Sequence, residues 1–551
     1  MSTTARTPTE VDAIAEDHLA RVCAADPIAA TDLGVGGHES RLTDFSPAAV
    51  ADRTDILRDT LRRLAAVTPA DDVDRVTIAT MTDQLSRAVA VDDAGLRVGE
   101  INVIASPLQA IRDVFDLMPV DDEADRGAVL ARVTAIPTAV DTVIAGLEHR
   151  LASGPPIARR QVGLVADQCG TAADAVRATV DRVVAQDASM QRHLDLAHAA
   201  AGEAFERLQR HLRESVADRA DPADAVGRDR YRLHSAEFVG TEIDPDEAYA
   251  WGLDHLAGIV AEQEVLAERI APGAGVAGAL AALDDDPRYR VTDRDAFVAW
   301  MQDLSDRSLD AVRDTHFEIP SDLTALQCML APSATGIIYY TAPSEDMRRP
   351  GRMWWSVPPE QDVFHTWQET TTVFHEGVPG HHLQIGSAMV SPELNRWRKL
   401  ASFTSGHGEG WALYAERLMA DLGWLDDDGD RMGMLDSQRL RAARVVVDIG
   451  LHCGLDAPES VGGGTWDADK VWTFLSQAVA MDRTVLMFER NRYLGWPGQA
   501  PSYALGQRVW EQARDEFRAT HPDGTLKEFH TRALRLGGVT LDVLRSELIG
   551  A

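Results

Sequence analysis

The sequence predicts a mainly α-helical protein, organised as one large helical body with two lobes. Three observations support this fold class. Apolar residues recur at intervals of three and four among charged residues over most of the chain. Only one stretch has the residue types that are typical of strands. The composition, 45% hydrophobic and 26% charged over 551 residues, is that of a globular protein whose core is large enough to need no structural metal.

The helical periodicity extends over most of the chain. Pro137 is expected to kink or split the third helical segment, because proline removes a backbone donor. The predicted segments are Ala48–Val67, Val73–Val91, Arg126–Ser153, Ser189–Ala220, Asp246–Ile270, Asp293–His316, Gln361–Met389, Gly410–Leu422, Arg431–Cys453, Ala468–Arg490 and Tyr503–Thr520.

A small β-hairpin or sheet is expected just before the helix that holds His375. Short runs rich in Ile, Tyr, Trp, Leu and Met occur there, at Thr324–Ala331, Thr335–Thr341 and Arg352–Val357. Turn-prone segments such as Ala342–Gly351, which contains two prolines, separate them.

The boundary between the lobes is predicted near residue 290. The stretches Pro272–Gly278 and Asp284–Pro287 are rich in proline, glycine and aspartate, and they are the best internal break. We therefore predict an N-terminal helical lobe over residues 1–290 and a C-terminal lobe over residues 291–551 that carries the chemistry. Both lobes are expected to belong to one continuous fold.

The charge, the N-terminal segment and the cysteines limit the partners and the location of the protein. With 54 Lys and Arg against 87 Asp and Glu, the formal charge of −33 repels nucleic acid and anionic membranes. The N-terminal segment Met1–Asp17 is polar, and no run of about 18 apolar residues is present, so we expect neither a signal peptide nor a membrane span. The absence of a C-x-x-C pair predicts a reducing, cytoplasmic location; the four cysteines are Cys23, Cys169, Cys328 and Cys453.

The segment His375–His382, which reads H-E-G-V-P-G-H-H, predicts a metal site. Zinc in catalytic sites prefers imidazole nitrogen and carboxylate oxygen, and the helical motif H-E-x-x-H places two histidines on one face of a helix. Here Pro379 stands where the second histidine of that motif would be, so the strict motif is absent. Glu376, next to the first ligand His375, is in the position of a general base.

The histidines six and seven residues after His375 are the candidates for the second ligand. On an ideal helix His382 would lie about 10 Å further along the axis, which is too far for a shared ion, and His381 would point elsewhere. Pro379 and Gly380 permit a bulge that brings one of them back to the metal. We predict His381, with His382 as the second choice.

A carboxylate on another helix is expected to be the third ligand. Glu409 and Glu416 are seven residues apart and share a helix face. Glu409 lies among glycines, which permit close approach of the backbone to a site, so we predict Glu409 as the ligand. Glu416 is either a hydrogen-bond partner of a ligating histidine or a surface residue.

At this point the sequence resembles a bacterial family, domain of unknown function 885. The resemblance covers nearly the whole chain. It is carried by H-E-G-V-P-G-H-H-L-Q from His375, G-E-G-W-A-L-Y-A-E from Gly408, and the segments Arg441–His452, Pro497–Gly506 and Asp26–Gly34.

That family is in turn similar to helical gluzincin peptidases such as thimet oligopeptidase, angiotensin-converting enzyme and thermostable bacterial carboxypeptidases. The resemblance implies a mostly α-helical cradle with a deep cleft. It also implies a ligand Glu on another helix followed by a second Glu seven residues later, which Glu409 and Glu416 match. The two residues inserted at Val378 and Pro379 depart from the H-E-x-x-H pattern of those peptidases.

Further candidates for the site lie in the C-terminal third of the chain. Arg444, Asp448 and His452 recur every four residues, which predicts either a structural ladder of ion pairs or a functional stripe. In the functional interpretation Arg444 binds a substrate carboxylate, and His452 donates to the oxyanion or orients the substrate. Tyr503 is a candidate oxyanion donor, as tyrosines are in the similar peptidases. Arg492 and Tyr493 could line the same cleft. Tyr339 and Tyr340, on the predicted strand, either bind peptide backbone or belong to the core, and the core role is favoured.

Three functions remain open at this stage. The first is a zinc peptidase that acts on short peptides, of which a carboxypeptidase is one form. The second is a metal- or peptide-binding protein of the same fold without turnover. The third is a non-haem iron enzyme, because two histidines and a carboxylate also form that site, although an iron enzyme has no evident use for Glu376.

Overall fold

A computed structural model of the protein describes residues 6–323, 326–331, 338–358 and 361–550, and over these residues the fold is mainly α-helical, as the sequence predicts. The first half contains α1 (Glu10–Ala25), α2 (Pro27–Asp32), α3 (Pro47–Ala66), α4 (Asp72–Asp93), α5 (Pro107–Asp113), α6 (Glu123–Ser153), α7 (Arg159–Gln186), α8 (Gln191–His211), α9 (Arg228–Val239), α10 (Pro245–Ile270) and α11 (Gly275–Asp285). The second half contains α12 (Arg294–Val312), α13 (Thr366–Glu376), α14 (His381–Val390), α15 (Arg396–Leu400), α16 (Ser405–Asp421), α17 (Asp428–Cys453), α18 (Ala468–Ala478), α19 (Arg483–Tyr493), α20 (Ser502–Thr520), α21 (Leu526–Arg535) and α22 (Leu541–Ile549).

The predicted small sheet is confirmed. Its strand order is β2-β4-β3, with β2 (Gln327–Leu330) parallel and β3 (Ile338–Thr341) antiparallel to the central β4 (Arg352–Trp355). Residues 324, 325 and 332–337 of the predicted strand stretches lie outside the described residues. A second pair, β1 (Arg290–Val291) with β5 (Phe364–His365), is antiparallel and leads directly into α13. Its strands have two residues each, which is too short to show alternation in a sequence.

The buried apolar side chains form more than one hydrophobic core. One core joins helices α5 to α8. Another extends from α9 to α22 and surrounds the candidate site. Helix α10 packs closely against α17 in this second core. Gly252 of α10 lies so near Val445 of α17 that an added Cβ would be 2.8 Å from the valine side chain. The two lobes and the boundary near residue 290 stay a prediction.

Helix α6 is long and apolar enough to cross a membrane by length and composition, with 39% of the relevant window buried. Its side chains Val129, Val133 and Val140 are completely buried in the core that α6 forms with α7 and α8. A core helix passes the same test, and these contacts favour that interpretation. Pro137 lies inside α6, which continues as one helix, so the predicted split does not occur.

Candidate metal centre

The chain breaks its helix between the two candidate histidines. The predicted single segment Gln361–Met389 is wrong, because α13 ends at Glu376 and α14 begins at His381, with a cis peptide bond between Val378 and Pro379. In the connection, the Gly380 amide donates to the Phe374 carbonyl at 3.0 Å. A Cβ at position 380 would collide with the carbonyl oxygens of Phe374 and His375, so only glycine fits where the chain doubles back.

This break brings the three predicted metal ligands together. Oε2 of Glu409 lies 3.3 Å from Nε2 of His375 and 3.4 Å from Nε2 of His381. The three ligand atoms all lie within 4.8 Å of one another. Ligands about 2.1 Å from a tetrahedral ion are about 3.4 Å apart, so the donor set fits a zinc ion. Both histidines are buried, at 4% and 7% exposure.

Glu416 fixes the orientation of His375. Nδ1 of His375 donates to Oε1 of Glu416 at 2.8 Å, which leaves Nε2 facing Glu409, and the hydroxyl of Thr371 donates to the other Glu416 oxygen at 2.7 Å. Burial lowers the pKa of His375, but the hydrogen bonds to Glu409 and Glu416 outweigh it and raise the pKa to about 10. Since a ligating imidazole is neutral, a metal ion at this site replaces a proton on Nε2. Glu416 is 1% exposed, so it is not a surface residue.

His382, the second choice for a ligand, turns away from this cluster. Consecutive residues of a helix point about 100° apart, so His381 and His382 cannot face the same ion. The ring of His382 is completely buried, and its Nδ1 lies 3.0 Å from the hydroxyl of Tyr340 on β3. Gly351 allows this approach, because a Cβ there would lie 2.5 Å from that hydroxyl.

Glu376, the predicted base, is 6% exposed, and its Oε2 is buried without a hydrogen-bond partner among the described residues. Burial raises the pKa of its carboxyl group, and the charges of His381 and His375 act in the opposite direction. A buried carboxylate with a free oxygen and a raised pKa is suited to accept a proton.

The glycines around Glu409 have a different role from the predicted one. The sequence predicts that they let the backbone approach the metal site, but other groups occupy the space beside them: a Cβ at Gly408 would collide with the ring of Phe403. A Cβ at Gly410 would collide with the backbone of Gly506, and a Cβ at Gly506 would collide with the backbone of Gly406. The glycines therefore let α16 and α20 cross at short distance, and that crossing positions Glu409.

Arg444 has partners inside the protein. Its guanidinium donates to Oε2 of Glu489 at 2.9 Å and to the hydroxyl of Tyr493 at 2.8 Å. Asp448 instead accepts a hydrogen bond from the amide of Gly498 at 3.0 Å, so the predicted ladder of ion pairs along α17 is wrong. Glu489 already binds the guanidinium of Arg444. The predicted role of Arg444 as the anchor of a substrate carboxylate therefore has no support in the structure.

The structure does not bring His452 to the cluster. Its Nε2 donates to the carbonyl of Tyr493 at 2.8 Å, and its Nδ1 accepts from the amide of Val226 at 3.4 Å. Burial lowers its pKa to about 4, so the ring is neutral. Both ring nitrogens are engaged by backbone groups, so the predicted oxyanion role of His452 is replaced by a structural one.

Tyr503 lies next to the cluster. Its ring stacks on the guanidinium of Arg444, 4.9 Å from the ring centroid, and burial together with the Glu409 charge raises the pKa of its phenol.

The sequence analysis did not single out Arg441, which lies three residues before Arg444 on α17. It has no carboxylate partner among the described residues: it donates to Ser437 at 2.6 Å, and its Nε is buried without a partner. Its spacing from Arg444 on one helix was the available signal.

Two cavities lie beside the site, of about 990 and 760 Å³. The larger is lined mainly by N-terminal helices and by Tyr339. The smaller is lined by Tyr340, Gln384 and His407 among others. Neither lining includes His375, His381 or Glu409.

We expect Arg444→Ala to lower the free energy of unfolding by about 3 kcal/mol, at the lower end of the range for a broken buried ion pair. The reason is that Glu489 would keep only Arg492 as a cationic partner, at 3.3 Å. Chemical denaturation of wild type and variant measures the difference. A change below about 1 kcal/mol would show that the pair with Glu489 is not stabilising.

Comparisons with known proteins agree with the fold. The chain matches the family described as "Bacterial protein of unknown function (DUF885)" over residues 27–548. It belongs to this family. The fold is similar to that of a candidate lipoprotein from Colwellia psychrerythraea, at a TM-score of 0.85 and 20% identity, with 98% of each chain covered. A candidate lipoprotein of unknown function from Shewanella oneidensis has a TM-score of 0.75 and 14% identity, over 98% of this chain and 99% of that one. No curated protein matches this member of the family.

Proposed function

We propose that this member of the family is a zinc-dependent peptidase that hydrolyses short peptides, with carboxypeptidase activity as one form of it. The observation that carries the proposal is the convergence of His375, His381 and Glu409 beside a buried Glu376 that has a free oxygen. The hydrogen bond of Glu416 to His375 supports it, because ligating histidines commonly donate to a carboxylate in this way. The similarity to gluzincins, in which the ligand Glu is followed by a second Glu seven residues later, is part of the proposal.

Different residues of the proposed site have different roles in hydrolysis. A bound zinc ion would polarise the scissile carbonyl and lower the pKa of a water molecule. Glu376 accepts a proton from the attacking water and returns it to the leaving amine. Tyr503 donates its phenol hydrogen to the developing oxyanion, and Arg444 holds the Tyr503 ring by stacking.

The two other functions use the same ligands in different ways. A binding protein without turnover would keep the three ligands and would not depend on a proton acceptor. An iron enzyme would use the two histidines and the carboxylate, but it leaves a buried, unpartnered Glu376 oxygen without a role.

The cytoplasmic location stays a prediction, and the description of the two similar proteins as candidate lipoproteins does not favour it.

Metal analysis combined with peptide digestion tests the proposal. We expect about one zinc ion per purified chain, because the centre offers a single set of three ligands. A library of short peptides should be cleaved by the zinc-loaded protein, and cleavage should stop with a chelator and return when zinc is added back. Iron instead of zinc, or cleavage that resists complete metal removal, would contradict the proposal.

A further inference from the structure

The smaller cavity has an unusual charge. Three half-buried cationic side chains line it, Arg349, Arg352 and Lys399. None of them forms an ion pair with a carboxylate in the part of the chain that the structure describes. The guanidinium of Arg352 donates to the side-chain amide of Gln327 at 3.0 Å. We call this space, of about 760 Å³, the basic cavity.

Unpaired cations are unexpected in a chain with a formal charge of −33. Arg348, next to Arg349, is exposed and pairs with Asp346 at 3.3 Å. Arg396, three residues before Lys399, pairs with Glu345 at 2.7 Å, and that pairing occupies one of the acidic side chains of the cavity lining. Burial, followed by the nearby charge of Arg352, lowers the pKa of Arg349. The unpaired cations of the basic cavity therefore attract an anion from outside the protein.

The basic cavity also offers a free hydrogen-bond donor. His407 lines it, is 3% exposed, and has an Nε2 that is buried without a partner among the described residues. Its Nδ1 lies 3.4 Å from the side-chain nitrogen of Gln384 and accepts from it, so the proton of the ring is on Nε2. A ligand oxygen would satisfy this donor.

The basic cavity is adjacent to the metal centre along α14. Gln384, Ile385 and Ala388 line it, and they follow His381 at three, four and seven residues, so they share its helix face. Tyr340 also lines the cavity and contacts His382. Burial raises the pKa of the Tyr340 phenol, with Arg349 acting against the rise and Glu376 adding to it. The charges of both Arg349 and Glu376 therefore act on this phenol.

The negative side chains of the lining come mainly from the N-terminal helices. Asp32 of α2 and Asp116, which follows α5, line both the basic cavity and the larger cavity. The three cations come from β4, its preceding turn and α15. Charges of opposite sign are thus contributed by different parts of the chain, and the positive set adjoins α14 and the metal centre.

We infer that the basic cavity binds a carboxylate of a peptide through Arg349, Lys399 and the Nε2 of His407, and so holds the part of the substrate next to the cleaved bond. The carboxylate is either the C-terminus of the peptide or an acidic side chain. Charge-assisted hydrogen bonds of this kind are the stronger ones in proteins, and arginine matches a carboxylate geometrically. As a subsite for a substrate, the inference rests on the proposed peptidase function, but the binding itself is measurable without cleavage.

The test measures peptide binding by calorimetry with the zinc-loaded full chain carrying Glu376→Gln, so that no peptide is consumed. Three N-acetylated tetrapeptides are compared: polyalanine with a free C-terminus, polyalanine amide, and an amide with one internal glutamate. At least one of the two carboxylate-bearing peptides should bind about 10- to 150-fold more tightly than the neutral amide. The peptide that shows the preference identifies the source of the carboxylate.

Arg349→Met and Lys399→Met should each reduce that preference, and Arg348→Met is the matched control that should keep it. Thermal unfolding establishes that each variant is folded. Equal binding of all three peptides, or an unchanged preference in both folded cavity variants, would overturn the inference. If the preference is present and depends on Arg349, but wild-type protein cleaves no peptide, the inference stands and the proposed peptidase function fails.

Discussion

Glu376→Gln is expected to abolish peptide cleavage while the metal stays bound. Glutamine is nearly the same shape but cannot accept a proton from the attacking water, and a general base typically contributes about 10²–10⁴-fold to the rate. Because Glu376 does not contribute a ligand atom to the cluster of His375, His381 and Glu409, zinc content should stay close to that of wild type. Initial rates on a cleaved peptide, with zinc content measured on the same samples, give the comparison.

Glu369→Gln is the matched control for this experiment. Glu369 lies on the same helix, seven residues before Glu376, and burial raises the pKa of its carboxyl group to about 7. It is not part of the metal cluster, so its variant should retain the wild-type rate. Activity of the Glu376 variant within a few-fold of wild type at full zinc content would show that Glu376 is not the base, and the proposed mechanism would be wrong.

Removal of a ligand is expected to have an equally large effect on metal binding. Glu409→Ala and His381→Ala each delete one of the three proposed protein ligands. Losing only the hydrogen-bond partner of a ligand typically lowers metal affinity by about 10–100-fold. Each of these two variants should therefore lower zinc affinity by more than that. Glu416→Gln, which alters such a partner, should fall within that smaller range. Competition against a chromophoric chelator measures all three affinities.

His382→Ala is the control for the choice between the adjacent histidines. Its ring contacts Tyr340 and lies outside the ligand cluster, so the variant should bind zinc more tightly than His381→Ala does. The reverse order would mean that the bound metal selects His382. Full zinc retention in Glu409→Ala would move the third ligand elsewhere, and Glu416 would be the next residue to test.

Two long helices near the N-terminus were predicted closely from sequence. The segments Ala48–Val67 and Val73–Val91 agree with α3 and α4 to within two residues at each end. Helix α7 was missed, although it is 28 residues long. The sequence predicts a bulge at Pro379 and Gly380 within one segment, Gln361–Met389, whereas the structure has two separate helices there.

The convergence of His375, His381 and Glu409 was predictable because metal chemistry limits residue type and spacing. Pro379 and Gly380 indicated a change of direction, and the structure shows that this change points His381 rather than His382 at Glu409. The partners of Arg444 were not predictable, because Glu489 lies 45 residues away and no local pattern pairs the two. The basic cavity could not be predicted from the sequence either, because its cations come from separate segments that only the fold brings together.

The short crossing of α16 and α20 makes a metal ligand depend on a residue far from it in sequence. Gly506 is 97 residues after Glu409, and its lack of a side chain sets how near α20 lies to Gly406 and Gly410. Any added methyl group at position 506 would push α16 outward and carry Glu409 with it. If the centre binds zinc as proposed, its affinity therefore depends on a position that has no donor atom, while all three proposed ligands remain unchanged.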